Sequence, residues 1–201
     1  MDEGYIKFRP IWEKSANWSS PRVAELIHWR QACYQRAWIG MYDNGIGYGN
    51  ISIRANEGSS FYITGSATGG IPAIGPESIA KVTKVAALQN KLWCKGPIVA
   101  SSESMSHAAI YQELDWVKGV IHIHHAGFWE KALHQLPTTA ADAPYGSPEM
   151  VASITELLRT TTLPEEKVFV MEGHEEGVFA FGEDLPAAFR VLEAAFDHFL
   201  G

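Results

Sequence analysis

Six consecutive residues, Val120-Ile121-His122-Ile123-His124-His125, carry the clearest capacity for chemistry in this chain. A β-branched, apolar run of this kind reads as a buried strand. Side chains two apart on a strand leave from one face, so His122 and His124 offer two imidazole nitrogens to one point. A shared metal ion would offset the desolvation of two neighbouring histidines; two hydrogen-bonded core histidines are the other reading of this run alone. His125 faces the opposite side and reads as core or as support for the ligands. A third histidine, His174, lies in Glu172-Gly173-His174-Glu175-Glu176-Gly177, a glycine-flanked turn between two short apolar runs. Turns on a rigid sheet are where reactive groups are presented. Two histidines on a strand and one remote match the three-ligand pattern of a catalytic zinc or similar divalent ion, whose fourth position is open. A purely structural site would use four ligands.

Ser101-Ser102-Glu103 precedes a helical spacing from Ser104 to Leu114. Free backbone N–H groups at a helix start, with two hydroxyls, make an anion site. A simple helix cap is the plainer reading. Glu103 suits either a first-turn carboxylate that complements the helix dipole or a general acid/base beside a metal. His107, four residues on, shares its helix face and either orients Glu103 or a bound group, or makes a local hydrogen bond. The glycine-rich stretches Gly45–Gly49 and Gly65–Gly70 allow close backbone approach to a phosphate, and equally serve as turns. Neither fits a P-loop or a dinucleotide fingerprint. His28, His134 and His198 read as ordinary surface or helix histidines.

These groups need a scaffold. Ser20-Pro21 caps an amphipathic helix over roughly 21–39. Asn50–Arg54 and Ser60–Thr64 read as a hairpin turning through Ala55–Ser59. Pro76–Val82 fits a short strand or a helix start. The histidine strand covers 117–125, followed by a helix from Gly127 to Leu136. Ser147 and Pro148 start a helix that runs through Leu158. Lys167–Met171 and Val178–Phe181 read as buried strands, and Leu185–Leu200 as an amphipathic helix. Hairpins mixed with helices predict a single-domain, three-layer α/β/α sandwich around a mostly antiparallel sheet, with residues 1–20 as an N-terminal extension of a domain spanning 1–201.

The bulk composition narrows the partners. The 201 residues suit one full core, and a net charge of −7 without a basic tract argues against nucleic acid and anionic membranes. No apolar run reaches membrane-spanning length. Met1-Asp2-Glu3-Gly4 lacks the features of a secretory signal, and Cys33 and Cys94 fit no paired motif, so a reducing cytoplasm is expected. Seven tryptophans, among them Trp12, Trp18, Trp29 and Trp38, suit a core or a subunit interface.

Taken in order, Gly49–Arg54, Ile63-Thr64-Gly65-Ser66-Ala67-Thr68-Gly69, Ser101-Ser102-Glu103 with His107, His122-Ile123-His124 and Gly173-His174 resemble the class II aldolase/adducin family over roughly residues 22–200. Each motif is weak alone; five in order are specific. The resemblance implies Zn2+, or another divalent transition metal, on His122, His124 and His174. It implies Glu103 as the acid/base group, and an anion cradle from Asn50, Thr68, Gly69, Ser101 and Ser102. It further implies a metal-dependent lyase that cleaves a small phosphorylated or carboxylated sugar-like substrate through an enediolate, in a homo-oligomer, with a tetramer favoured. The family's epimerases tend to carry Asp where Glu103 stands, which leans toward carbon–carbon cleavage. Epimerisation, dehydration, decarboxylation and a non-catalytic adducin-like module are the alternatives. The chain departs from the pattern in three places. Ile63–Gly70 is two residues longer than in the sugar-phosphate aldolases. His174 is followed by Glu175 and Glu176 where His-Gly is usual, and two carboxylates there would disfavour an anion. No counterpart of the aldolases' mobile C-terminal tyrosine is evident; Tyr145 lies in a matching loop and reads as structural.

Overall fold

The computed structural model describes residues 6–56 and 58–201. The reading of Met1–Gly4 and residue Glu57 of the hairpin turn lie outside the described residues. The strands are β1 (Arg9–Lys14), β2 (Gly40–Met41), β3 (Gly47–Tyr48), β4 (Asn50–Arg54), β5 (Phe61–Thr64), β6 (Ile79–Ala86), β7 (Lys91–Gly96), β8 (Gly119–His124), β9 (Val168–Val170) and β10 (Gly177–Gly182). The helices are α1 (Pro21–Gln35), α2 (Ser104–Glu113), α3 (Ala126–Ala132), α4 (Pro148–Thr160), α5 (Leu163–Glu166) and α6 (Leu185–Leu200). Eight strands form one sheet in the order β1-β7-β6-β5-β4-β8-β10-β9, and β2 pairs with β3 apart from it. Every pairing in the large sheet is antiparallel except β1 with β7.

Alternation along the strands splits the core in two. One face buries Phe61, Ile63, Val82, Val120, Phe179 and Phe181 against Met105, Ile110 and Tyr111 of α2 and Met150, Ile154 and Leu158 of α4. The other buries Ile51, Ile53, Ile121, Ile123, Val178 and Ala180 against Val23, Leu26 and Cys33 of α1, Phe128 of α3 and Leu185, Ala188 and Leu192 of α6. This is the expected three-layer sandwich. The strand β8 lies inside the sheet, with β4 on one side and β10 on the other.

Local chemistry sets the element ends. Ser20 accepts from the Arg22 N–H and Ser147 from the Met150 N–H, each ahead of a proline in the first turn. The first helix stops at Gln35, short of 39, because Ala37 turns left-handed (φ 54°) and sends Trp38 and Ile39 toward the sheet. Pro76–Ser78 forms a 3-10 turn and Ile79 then begins β6, so that segment is both a helical start and a strand. His125 caps α3, its Nδ1 accepting from the Phe128 N–H at 3.1 Å. As well as the small β2–β3 pair, two strands of the large sheet escaped the sequence reading. One is β7; the other is β1, which draws part of the N-terminal extension into the sheet.

Candidate metal centre

Register across three strands builds the floor of the site. Asn50 of β4 and Phe179 of β10 both pair with His122 on β8. Paired residues on antiparallel strands project to the same side, so Asn50, His122 and Phe179 share a face. The His122 ring stacks on Phe179, with centroids 4.4 Å apart at 22°. Gly177 pairs with His124, and a Cβ there would come 2.9 Å from the His174 carbonyl oxygen. The absent side chain therefore gives the β9–β10 turn room to fold His174 over the strand. On the opposite side, Glu103 occupies the N-cap position of α2 in the bridge region (φ −99°, ψ 11°) and makes no cap hydrogen bond. Its carboxylate reaches the histidines instead, so Glu103 itself does not cap the helix.

The four side chains converge. His122 Nε2 lies 2.5 Å from Glu103 Oε2, and His174 Nδ1 lies 3.1 Å from Glu103 Oε1. His122 Nε2 and His124 Nε2 are 3.1 Å apart. All four are buried, and their ligand atoms lie within 4.8 Å of one another. The outer hydrogen bonds fix the ring tautomers. His122 Nδ1 faces the Val178 carbonyl at 3.1 Å and so carries a proton, leaving the Nε2 lone pair inward. His124 Nδ1 faces the Tyr42 hydroxyl at 2.9 Å, and that hydroxyl donates to Glu176 Oε2 at 2.7 Å; Nδ1 is therefore the donor and Nε2 again points inward. Two lone pairs at hydrogen-bond distance beside a carboxylate are an arrangement that a shared cation satisfies. Glu103 Oε1 is also buried, and faces His174 Nδ1. The donor set fits a divalent ion, three imidazole nitrogens with one carboxylate oxygen at hand, and nitrogen-rich sets of this kind suit zinc.

The electrostatics agree. Burial pushes the Glu103 carboxyl up, but His122 and His174 outweigh it and hold it well below the usual carboxylate range. Burial first, then His122 and His174, hold His124 well below the usual imidazole range. An ionised Glu103 beside a His124 held in its neutral form suits a metal, which binds deprotonated ligands.

Behind Glu103 runs a chain of buried donors. The Asn50 Nδ2 amide donates to Glu103 Oε2 at 3.1 Å, so its Oδ1 accepts from His107 Nε2 at 2.6 Å. His107 Nδ1 then accepts from Ser52 Oγ at 2.7 Å, and Ser52 Oγ from the Tyr111 hydroxyl at 2.9 Å. His107 thus orients Glu103 through Asn50. Burial, then His122, lower its pKa from 6.5 to about 3. The unfolded chain takes up this proton near pH 6.5 and the folded chain only near 3, so stability falls as pH drops through that window. In chelator, His107→Gln should flatten the pH dependence of unfolding free energy there by about 1.4 kcal/mol per pH unit. Denaturant melts between these limits test it, and an unchanged slope would place the proton uptake elsewhere.

A cavity opens beside Glu103 and His174, lined by Asn50, Thr68, Gly69, Ser101 and Ser102 among others, with Tyr48 and Tyr145 on its walls. Every residue expected in the anion cradle therefore borders one space. Both ends of the Asn50 amide are engaged, by His107 and Glu103, and the Thr68 hydroxyl donates to the Gly65 carbonyl at 2.8 Å. At Gly69 a Cβ would lie 2.6 Å from the Gly40 carbonyl oxygen, so only glycine lets the two glycine-rich loops meet. Behind this turn the fully buried Arg30 donates through Nη2 to the Thr68 and Gly69 carbonyls at 2.9 and 2.8 Å. A buried cation at the back of a neutral turn favours an anion in front of it.

Sequence reasoning missed Arg30, Tyr42 and the place of Tyr145 against His174. The ring of Tyr145 stacks on His174 at 4.7 Å, and the Lys7 amine lies 3.9 Å above its centroid. None of these has a local signal, since each acts on a residue far away in sequence. Of the two glutamates after His174, Glu175 is exposed and Glu176 is turned to Tyr42.

Comparison with known proteins places this fold. No curated protein sequence matches the chain. The fold is shared with solved structures at low identity. An L-fuculose 1-phosphate aldolase aligns at 21% identity with a TM-score of 0.65, covering 90% of this chain and 84% of that one. A sugar-phosphate aldolase from Thermotoga maritima aligns at 17% identity with a TM-score of 0.63, covering 89% and 93%. The N-terminal class II aldolase domain of a Thermoplasma acidophilum protein aligns at 13% identity with a TM-score of 0.57, covering 95% and 98%. The sequence profile of the class II aldolase and adducin N-terminal domain matches residues 25–197. With that match over most of its length, the chain belongs to the class II aldolase/adducin family.

Proposed function

We propose that this chain is a divalent-metal-dependent aldehyde-lyase that cleaves a carbon–carbon bond in a small phosphorylated or carboxylated sugar-like compound. One observation carries the reading: the buried Glu103 carboxylate lies between three imidazoles and a cavity bordered by Ser101, Ser102, Thr68 and Gly69. His122, His124 and His174 would hold the ion, zinc or another divalent transition metal. When bound, it supplies Lewis-acid stabilisation of the negative charge that develops on substrate oxygens. Glu103 moves the proton at the carbon that bears this charge, and the chain through Asn50 and His107 holds its carboxylate in place. The hydroxyls of Ser101 and Ser102 grip the anionic end, and that remote binding positions the reacting carbon.

A homo-oligomer, tetramer favoured, belongs to the same proposal. Met41 and Ile71 are exposed apolar residues flanking the glycine-rich loops at the site, which supports a subunit contact near it. Buried free thiols at Cys33 and Cys94 suit the proposed reducing cytoplasm. No helix among the described residues is long and apolar enough to cross a membrane.

The test is turnover of a panel of sugar phosphates and short hydroxy-keto acids by metal-loaded protein, read as aldehyde release. Ser101→Ala or Ser102→Ala should raise KM on any substrate found about tenfold or more, as expected for loss of a hydrogen bond to a charged group. Fully loaded protein that releases aldehyde from none of the panel would reject the lyase assignment.

A further inference from the structure

We infer that Tyr42 and Glu176 form an outer pair that sets the tautomer and aim of His124, and thereby the affinity of the centre for its ion. The inference rests on the metal reading above. Glu176 Oε2 accepts the Tyr42 O–H at 2.7 Å, and the Tyr42 oxygen lies 2.9 Å from His124 Nδ1. The Tyr42 hydroxyl is the donor to Glu176, so the direction of the chain is fixed from its outer end. The tyrosine has one proton, which goes to Glu176. Its oxygen is left to accept from His124 Nδ1, and the Nε2 lone pair turns toward His122, Glu103 and His174. His122 reaches the same tautomer through a neutral carbonyl, that of Val178. At its outer nitrogen His124 is tied to a carboxylate through a phenol, and such a partner raises the basicity of an imidazole ligand.

Both members are held by backbone. The Tyr42 N–H donates to the Ile46 carbonyl at 2.9 Å and the Gly45 N–H to the Tyr42 carbonyl at 2.9 Å, closing a tight turn. The His125 N–H donates to the Glu176 carbonyl at 3.1 Å, fastening the glutamate to the end of the ligand strand. Glu176 adopts a left-handed backbone (φ 67°), where glycine or asparagine is easier to place. Its neighbour Glu175 is exposed, so the two glutamates after His174 are not equivalent.

The experiment measures Zn2+ dissociation constants by chelator competition, and the Co2+ visible spectrum, for the wild type, Tyr42→Phe, Glu176→Gln and the double variant. Each single change is expected to weaken Zn2+ binding about 10–100-fold, the range for partners one shell outside a metal. The Co2+ bands should shift, and the melting temperature of the metal-free protein should stay put. The double variant should match the weaker-binding single variant, since one break already severs the chain. Equal affinity in wild type and both single variants overturns the inference while leaving the metal reading intact. Losses that add in full, or that track a lower metal-free melting temperature, overturn it in favour of a packing role. A wild type that takes up neither ion overturns the metal reading and this inference together.

Discussion

Replacing His122 and His124 together by alanine should reduce divalent-metal affinity by more than about a hundredfold, because even partners one shell outside a metal cost 10–100-fold. The two residues supply two of the three nitrogens, from one strand, with Nε2 atoms 3.1 Å apart. The preceding position on that face of the strand is Val120, which offers no ligand atom. Two measurements check the outcome. Metal content after exhaustive dialysis should be stoichiometric in the wild type and lost in the double variant. Added Zn2+ should also raise the wild-type unfolding free energy by about 2.7 kcal/mol at a hundred times Kd, and leave the variant unmoved. Both rings are buried, and His122 packs on Phe179, so the variant will lose some packing. His124→Gln separates the effects: it keeps much of the volume and removes one nitrogen. Stoichiometric metal in both variants would show that the histidines are core residues and nothing more.

The second large effect falls on Glu103. Glu103→Gln should slow proton exchange at a substrate carbon by about 10²–10⁴-fold, the usual contribution of a positioned acid/base. The metal should stay. Three imidazoles remain, and the glutamine oxygen can still accept from Asn50 Nδ2, which donates to Glu103 Oε2 at 3.1 Å. The substitution thus removes the proton-carrying capacity with little change in shape. Deuterium incorporation from solvent, followed on whichever compound the panel identifies, reads the step directly. Normal exchange with metal in place would take Glu103 out of the acid/base role. Loss of the metal itself would make the carboxylate a necessary fourth ligand. His107→Gln should fall between the variant and wild type in exchange rate, because it loosens Asn50 and not the carboxylate itself.

How much of this was legible beforehand depends on the range of the forces involved. His122 and His124 are visible because strand periodicity is local, and two residues suffice to put both rings on one face. His174 and Glu103 stand out through their glycine-flanked turn and helix start, again local features. Hairpin β4–β5 and the capped helices α1 and α4 follow from turn and cap chemistry within a few residues. The rest is long-range. Strand β1 exposes all six of its residues, so no apolar alternation marks it; it exists because β7, about eighty positions later, offers a parallel partner. Tyr42 and Glu176 are 134 positions apart and meet only because β10 pairs beside β8. Arg30 reads as one polar residue on an amphipathic helix, yet it is fully buried behind Thr68 and Gly69. The pair of glutamates after His174 suggested repulsion of anions; the fold turns one outward and gives the other to Tyr42.

The two ends of the large sheet are unlike. At one end β9 is three residues long and buried throughout; at the other β1 is six residues long, and among the described residues no strand pairs with its outer side. An open border of that length is an invitation to a neighbouring molecule, since any extended segment can dock its own amides there and lengthen the ribbon. The residues of β1 answer this. Pro10 has no N–H to offer, and Arg9, Glu13 and Lys14 place charges of both signs along the border, with Glu13 paired to Lys95 at 2.8 Å. Copies of the chain that meet side by side there would have to desolvate those charges, so the border resists runaway stacking even though no described strand covers it.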